Sequence, residues 1–419
     1  MKKAKIIVSM MMILCFITGC VTKSTTNSKD TTADSTSLCK LSKVRETAQS
    51  DYESAKKENS MFTYDDFQVT MTEENEIHNV ITIYKTTTAS GKNNILDLVN
   101  EQVDLMKQYL RSDKFATSNI FICLSKGEDY PQPNYGEEFL RDLENGKYDG
   151  YEINTIYYED LDNIELYWQA DIDYTTVWMS RGLLNQKISS ASRTIATGAF
   201  AYGEGAEKEY YRNATDGSLD DNYHLNNGDM TIQEGIDYVE EYVNHNLPFE
   251  KKDETTVEVD KVLACPVGDN TYELCFSLVR SYEGTRFDGA VDFKSQSIGG
   301  IDIKNYRYEF GGIAMFQTDD VEYMCLDVIN YPVTVTGDAI TEVLPLSSAI
   351  QRLKDKLQGT SNYQVHSIEL SYRARHIDET TFDCESYLTW KFETTNTTDD
   401  KLTIFYVNAL TGEIENSFY

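Results

Sequence analysis

Side chains able to do chemistry are plentiful in this sequence, but few stand at spacings that a reaction needs. Glu159, Asp160 and Asp162 cluster, Asp171 and Asp173 follow, and Trp168 and Trp178 lie among them. Two carboxylates about 5–10 Å apart, beside an aromatic platform, are what glycoside hydrolysis uses. The chain holds 69 acidic residues, however, and so many carboxylates cluster by chance. The five histidines, His78, His224, His245, His366 and His376, make neither HExxH nor another close metal pair. His366 sits in a strand-like pattern and reads as a sheet histidine with its hydrogen bonds satisfied. No GxSxG elbow and no GxxxxGK phosphate loop is present. Gly203-Glu204-Gly205 is too short a glycine motif to argue phosphate binding. The run from Asp216-Gly217 to Asp220-Asp221-Asn222 is acidic and turn-rich. It lacks the ligand spacing and closing Glu of an EF-hand, so it reads as a solvated loop. No cofactor, metal site or catalytic residue is expected.

One thiol is different. Lys2, Lys3 and Lys5 open the chain, and Ile6 to Gly19 is an uncharged run of 14 residues ending at Cys20. As a helix the run would reach roughly 21 Å, short of a hydrocarbon core of about 30 Å. A charged start, a short apolar middle and small residues at the end describe a secretory signal. Ile17-Thr18-Gly19-Cys20 resembles the lipobox of bacterial lipoprotein precursors. The resemblance implies a diacylglyceryl group on the Cys20 thiol and cleavage between Gly19 and Cys20. Two acyl chains give stable membrane attachment where one holds weakly. Val21 to Ser37 is 17 residues rich in Ser and Thr. As a flexible coil it spans about 23 Å. The expected address is the extracytoplasmic face of the cell membrane, with the folded part standing off on a tether.

Removing the signal removes three lysines and takes the formal net charge from −31 to −34. Nucleic-acid binders carry a basic patch, and the basic runs here are only pairs such as Lys56-Lys57 and Lys251-Lys252. Nucleic acid is therefore not an expected partner. The 400 residues from Cys20 onward suggest two or three domains. Twenty-nine tyrosines against six prolines favour sheet. Six cysteines remain after Cys15 and Cys20, at scattered spacings: Cys39, Cys123, Cys265, Cys275, Cys325 and Cys384. A hairpin turn near Val267 to Asn270 would set Cys265 opposite a residue near Tyr272 rather than opposite Cys275. Free, mostly buried thiols are expected.

Helical and strand periods give the organisation. Ile95, Val99, Val103, Met106 and Leu110 form one helical stripe. Strand patterns follow at Asn119 to Leu124, Tyr151 to Tyr158, Ile164 to Ala170, Thr176 to Met179 and Thr194 to Gly203. Thr231-Ile232-Gln233-Glu234 reads as a capping box, opening a helix whose buried stripe is Ile232, Ile236, Val239 and Val243. Alternating strands follow it. The order restarts near Pro345, with Ser347 or Ser348 as cap, a stripe of Leu346, Ile350, Leu353 and Leu357, and Gly359 as closure. Strands at Val365 to Arg373, Tyr387 to Glu393 and Leu402 to Asn408 complete a second unit. The expected class is α+β, with antiparallel sheets packed by helices. The expected segments are a signal at 1–19, a tether and stalk at 20–60, an α+β domain at 61–215, and related units at 228–335 and 340–419.

The chain closes on Tyr406-Val407-Asn408-Ala409-Leu410-Thr411-Gly412-Glu413-Ile414. Here Gly412 suits a positive φ and Asn408 can bond its own backbone. This string resembles the closing turn of PepSY-like domains, with Asn408 where that family often has Asp. The likeness covers about 340–417 and more loosely 228–330. It is similar to the C-terminal part of uncharacterised Gram-positive lipoproteins. The resemblance implies a domain that holds or inhibits extracytoplasmic proteases or regulates membrane-bound sensors, and it implies no catalytic residues. The expectation is a lipid-anchored, non-enzymatic binding or regulatory module with an envelope protein or peptide as partner. The alternatives are an envelope glycan hydrolase using carboxylates near Trp168 and a solute-binding lipoprotein. The latter would want alternating strand–helix lobes, which this order of elements lacks.

Overall fold

Among the described residues there are five α-helices, three of them at the helical stripes read in the sequence. In the computed structural model they are α1 (Leu41–Lys56), α2 (Lys92–Leu110), α3 (Glu137–Glu144), α4 (Ile232–Asn246) and α5 (Leu346–Leu357). The structure describes residues 37–419 apart from several stretches, the longest being 181–207, 83–91 and 247–254. The described residues fall within one unit, Thr36–Tyr419. None of their helices is long and apolar enough to cross a membrane. The lipobox, Gly19, Cys20 and the tether lie outside the described residues, as does the strand expected at Thr194 to Gly203.

Most of the described strands form two antiparallel-rich sheets, beside three two-stranded pairs. In the first, the spatial order is 120–125, 152–159, 167–171, 176–180, 321–326, 311–316, 271–282, 255–268 and 208–211, antiparallel throughout. In the second, 414–418, 401–408, 384–396 and 363–376 run antiparallel in that order. Strand 363–376 is then flanked in parallel by 62–64 at one end and 285–292 at the other. Strand 77–82 joins 384–386 to 333–340. A tight turn at Glu283 and Gly284, both at positive φ, connects 271–282 to 285–292. It carries the chain from one sheet into the other.

Each sheet has its own apolar core. Ile95, Val99, Val103 and Met106 of α2 and Ile232, Ile236, Val239 and Val243 of α4 are buried with Ile122, Ile156, Leu274 and Phe276 of the first sheet. The α4 stripe sits where the sequence sets it, and the capping box is made. Glu234 N–H donates to Thr231 Oγ1 at 3.2 Å, and Thr231 N–H donates to Glu234 Oε2 at 2.9 Å. On the second sheet, Val44, Ala48 and Tyr52 of α1 and Ala349, Ile350 and Leu353 of α5 are buried with Ile368, Leu370, Trp390 and Phe392. Residues 39–56, read in sequence as stalk, are thus part of a core. Cys39 and Lys40 also pair with Val343 and Glu342.

The start of α5 differs from expectation. Pro345 is the residue before the helix and no side chain of the local segment caps it. Asp51 of α1 does so instead, its Oδ2 accepting from Ser347 N–H at 3.1 Å. The closing turn follows the sequence reading. Asn408 Oδ1 accepts from the N–H groups of Leu410 and Thr411, both at 2.9 Å. Gly412 has φ +72°, and Ile414 returns to pair with Val407.

Candidate functional site

With helices over one face of each sheet, the other faces carry what remains of the strand alternation, and that remainder is charged. Lys261 comes from strand 255–268, Arg286 and Asp288 from 285–292, Glu369 from 363–376, and Lys391 and Glu393 from 384–396. These six side chains are 2–8% exposed. They pair as three cations with three anions. Lys261 Nζ bonds Glu393, Arg286 Nη1 lies 2.9 Å from Glu369 Oε2, and Lys391 Nζ lies 3.1 Å from Asp288 Oδ1 and 3.3 Å from Glu369 Oε1. Tyr406 donates its hydroxyl to Asp288. The seam runs from one sheet to the other, since Lys261 belongs to the first and Glu393 to the second.

Three further carboxylates rim this neutral core at 18–22% exposure. Glu209 is 3.5 Å from Lys261, while Asp260 at 2.9 Å and Glu258 at 3.4 Å face Arg286. Burial alone would raise the Asp260 carboxyl, but Lys391, Arg286 and Lys261 bring it down to about 2. Burial would likewise discharge Lys261 and Lys391. The surrounding carboxylates, Glu393 first for Lys261 and Asp288 first for Lys391, instead hold both ammoniums above their ordinary range. Arg286 is held up in the same way, by Glu369 first. Arg373 extends the seam, its guanidinium 3.7 Å from the Tyr406 ring centre and its Nε 3.7 Å from Glu415 Oε2.

A second cluster lies beside the seam. His366 is the extra residue of a β-bulge, because Val365 pairs with Thr394 and Ser367 with Glu393. A bulge re-aims one side chain out of the strand alternation. His366 Nδ1 is 2.7 Å from Asp65 Oδ2, and its Nε2 is 2.8 Å from Thr395 Oγ1. The Tyr211 ring stacks on the imidazole at 5.4 Å and 11°, and the Tyr211 hydroxyl donates to Glu393 at 3.3 Å. The sequence reading of His366 as a bonded sheet histidine agrees with this, but its partners come from 29 and 301 residues away.

The other sequence candidates are dispersed. Glu159 pairs with Tyr167 and Asp171 with Thr155, so the backbones of the two residues lie at opposite ends of strand 167–171. At about 3.3 Å per residue their backbones are roughly 13 Å apart. Trp168 stands opposite Tyr158, and Trp178 opposite Gln169. Asp160, Asp162 and Asp173 lie outside the described residues. In the acidic loop, Asp216 Oδ1 accepts from Ser218 N–H at 2.9 Å, and Asp221 is held by Lys208 and Tyr210. Among the described residues no group of three or more acidic, His or Cys side chains is arranged to hold a metal. Cys39, Cys265 and Cys275 are free thiols. Cys265 stands opposite Glu273, and burial pushes its thiol up to about 12.

No family model matches the chain, and no curated protein matches it. Among solved structures it is similar to an uncharacterized protein from Eubacterium rectale ATCC 33656, at 11% identity over 85% of this chain and 91% of that one, with a TM-score of 0.49. It is also similar to the C-terminal domain of Bacillus megaterium YpeB, a distant, PepSY-like neighbour, at 11% identity over 76% of this chain and 96% of that one, with a TM-score of 0.31.

Proposed function

We propose that the chain is a membrane-anchored extracytoplasmic lipoprotein, held by lipid on Cys20. It acts as a binding or regulatory module for a protein or peptide partner at the cell envelope. Its task is holding rather than turnover. The observation that carries this reading is the state of the buried charges. A general acid or base works best when it titrates near the operating pH. In the seam, Asp260 is driven down to about 2 and Lys261, Arg286 and Lys391 are driven up, so these groups keep their charge at neutral pH. The Cys265 and Cys275 thiols are pushed up and away from the reactive thiolate. Such a seam fixes one sheet against the other and suits a rigid platform.

One edge fits a peptide partner. Among the described residues strand Val333–Ile340 has a single strand neighbour, Ile77–Thr82, and Val335 on it is 42% exposed. A free edge accepts an added strand through main-chain hydrogen bonds.

The test is crosslinking of the lipidated protein in intact cells, with mass spectrometry of what it holds and a Cys20→Ala version as control. One envelope protein recovered in near-equal amount, and lost in the control, is the expected result. Recovery of no protein partner would sink this reading.

A further inference from the structure

We propose that Thr395 is a nucleophilic hydroxyl, with His366 as its base and Asp65 orienting the imidazole, and that it captures one acyl group from an activated ester. The capture goes beyond the binding reading and does not depend on it.

The proton positions follow from the partners. Burial would raise the Asp65 carboxyl, but hydrogen bonding to His366 outweighs it and holds the group below its ordinary value. Asp65 is therefore an ionised carboxylate at neutral pH and can only accept hydrogen bonds. Nδ1 of His366, 2.7 Å away, must then carry a proton. In the neutral imidazole that leaves Nε2 as the lone pair, and Thr395, at 2.8 Å, must donate its hydroxyl to it. A nucleophile bonded to a base, with the base oriented by a third group, is the arrangement that activates a hydroxyl.

Three neighbours hold this arrangement in place. Gln364 donates its side-chain amide to the other oxygen of Asp65, and Thr63 donates to Gln364 in turn. Tyr211 lies flat on the imidazole, where its ring face favours the imidazolium formed during attack. The bulge at His366 turns the ring toward Thr395. The site is open to a small reagent: Asp65 is 45% exposed, His366 is 16% exposed, and Thr395 is half-buried.

The step balances without a co-reactant. Thr395 Oγ1 bonds to the acyl carbonyl carbon as its proton passes to Nε2. Collapse of the tetrahedral adduct breaks the bond to the leaving alcohol oxygen, which takes that proton from the imidazolium. The products are a threonine ester and a free alcohol, and nothing is oxidised or reduced.

The probe is p-nitrophenyl acetate, applied to the chain from residue 20 onward with Cys20→Ala. Nitrophenolate release is followed by absorbance, and the acetyl group is placed by peptide mass mapping. The expected result is one acetyl per chain on Thr395. His366→Gln should slow its appearance by about 10²–10⁴-fold. Asp65→Asn should slow it too, and Thr395→Ser, which keeps the hydroxyl and its bond, should retain it. Each variant's circular dichroism spectrum shows whether it is folded. No acetyl on Thr395 in the folded parent, or an unchanged rate in folded His366→Gln, would overturn the proposal. Acetyl groups confined to lysines would do the same.

Discussion

Replacing Lys391 by Met keeps the stem of the side chain and removes its ammonium from the centre of the seam. Nζ lies 3.1 Å from Asp288 and 3.3 Å from Glu369, and the three side chains are 5–7% exposed. The three-against-three balance of the seam then becomes two against three. Removing one partner of a buried pair costs about 3–5 kcal/mol, since a charge is left without compensation. Two contacts lower this figure. Glu369 keeps Arg286 at 2.9 Å, and Asp288 keeps the Tyr406 hydroxyl. We expect a loss of about 3 kcal/mol at pH 7. The pH dependence has a definite sign. Burial would lower the Lys391 value in the folded state, but Asp288 and Glu369 raise it well above the model-peptide value. A group raised on folding contributes its full stability below its unfolded value, near 10.4, and loses it as pH rises through the folded value. At pH 5 to 8 the parent therefore has the whole contribution and the variant none of it. In the variant the stranded carboxylate is relieved by taking a proton, so the penalty should shrink as pH falls. Urea unfolding of both proteins at pH 5 and pH 8, with equal m-values, reads this directly. Asp288→Asn in the Met background restores the balance and should recover most of the loss. A penalty under about 1 kcal/mol, one equal at the two pH values, or no rescue by Asn would refute the reasoning.

Gly235 in α4 leaves no room for a methyl group, because an added Cβ would lie 2.7 Å from Phe276 Cζ in the core. Gly235→Ala should therefore destabilise by about 1–3 kcal/mol, offset by less than about 1 kcal/mol of helix propensity; a thermal melt showing a gain would contradict this. Thr231→Ala removes one half of the capping box and should cost about 1 kcal/mol, read as a lower urea midpoint with an unchanged slope. The Asp260 carboxyl is depressed to about 2, so its contribution is present above its ordinary value and is lost as pH falls toward 2. Asp260→Asn should cost roughly 2 kcal/mol at pH 7 and flatten the acid limb of stability against pH, which unfolding at pH 7, 4 and 3 would measure.

What was legible in the sequence was local. Thr231 and Glu234 are three residues apart, and their reciprocal bonds follow from that spacing. The stripes of α2, α4 and α5 repeat within one helix, and Asn408 bonds amides two and three residues on. Cys265 falls opposite Glu273 because the hairpin that joins them is short. What was hidden joins distant parts of the chain. Asp51 caps a helix 296 residues away, and Asp65 meets His366 across 301. The seam was hidden for another reason. Glu369, Ser371, Arg373 and Arg375 alternate with Ile368, Leu370, Tyr372 and Ala374. Such alternation ordinarily marks a strand with one face in water. Glu369, Ser371 and Arg373 are buried all the same, because their face meets another of the same kind. The signal available in sequence was complementarity, with Lys391 and Glu393 two apart on one strand against Lys261, Arg286 and Asp288 on others.

That complementarity bears on why the two sheets meet through charge. Both helix layers are already in use: α2 and α4 lie in the core of the first sheet, and α1 and α5 in that of the second. The hairpin at Glu283 and Gly284 then brings the remaining faces toward each other. An apolar seam of the same area would be no less stable, since buried ion pairs roughly cancel their own desolvation. It would, however, tolerate a shift of one sheet along the other. The ionic seam does not. Lys261 of the first sheet meets Glu393 of the second, and Arg286 of the second meets Asp260 of the first, in one registration only. Sliding the first sheet by two residues along the second would carry Lys261 away from Glu393, and Asp260 away from Arg286. Glu393 is 2% exposed, and a buried carboxylate left without its ammonium costs about 3–5 kcal/mol. The charges thus fix the relative position of the two sheets, on which the stacking of Tyr211, from the first, on His366, from the second, depends.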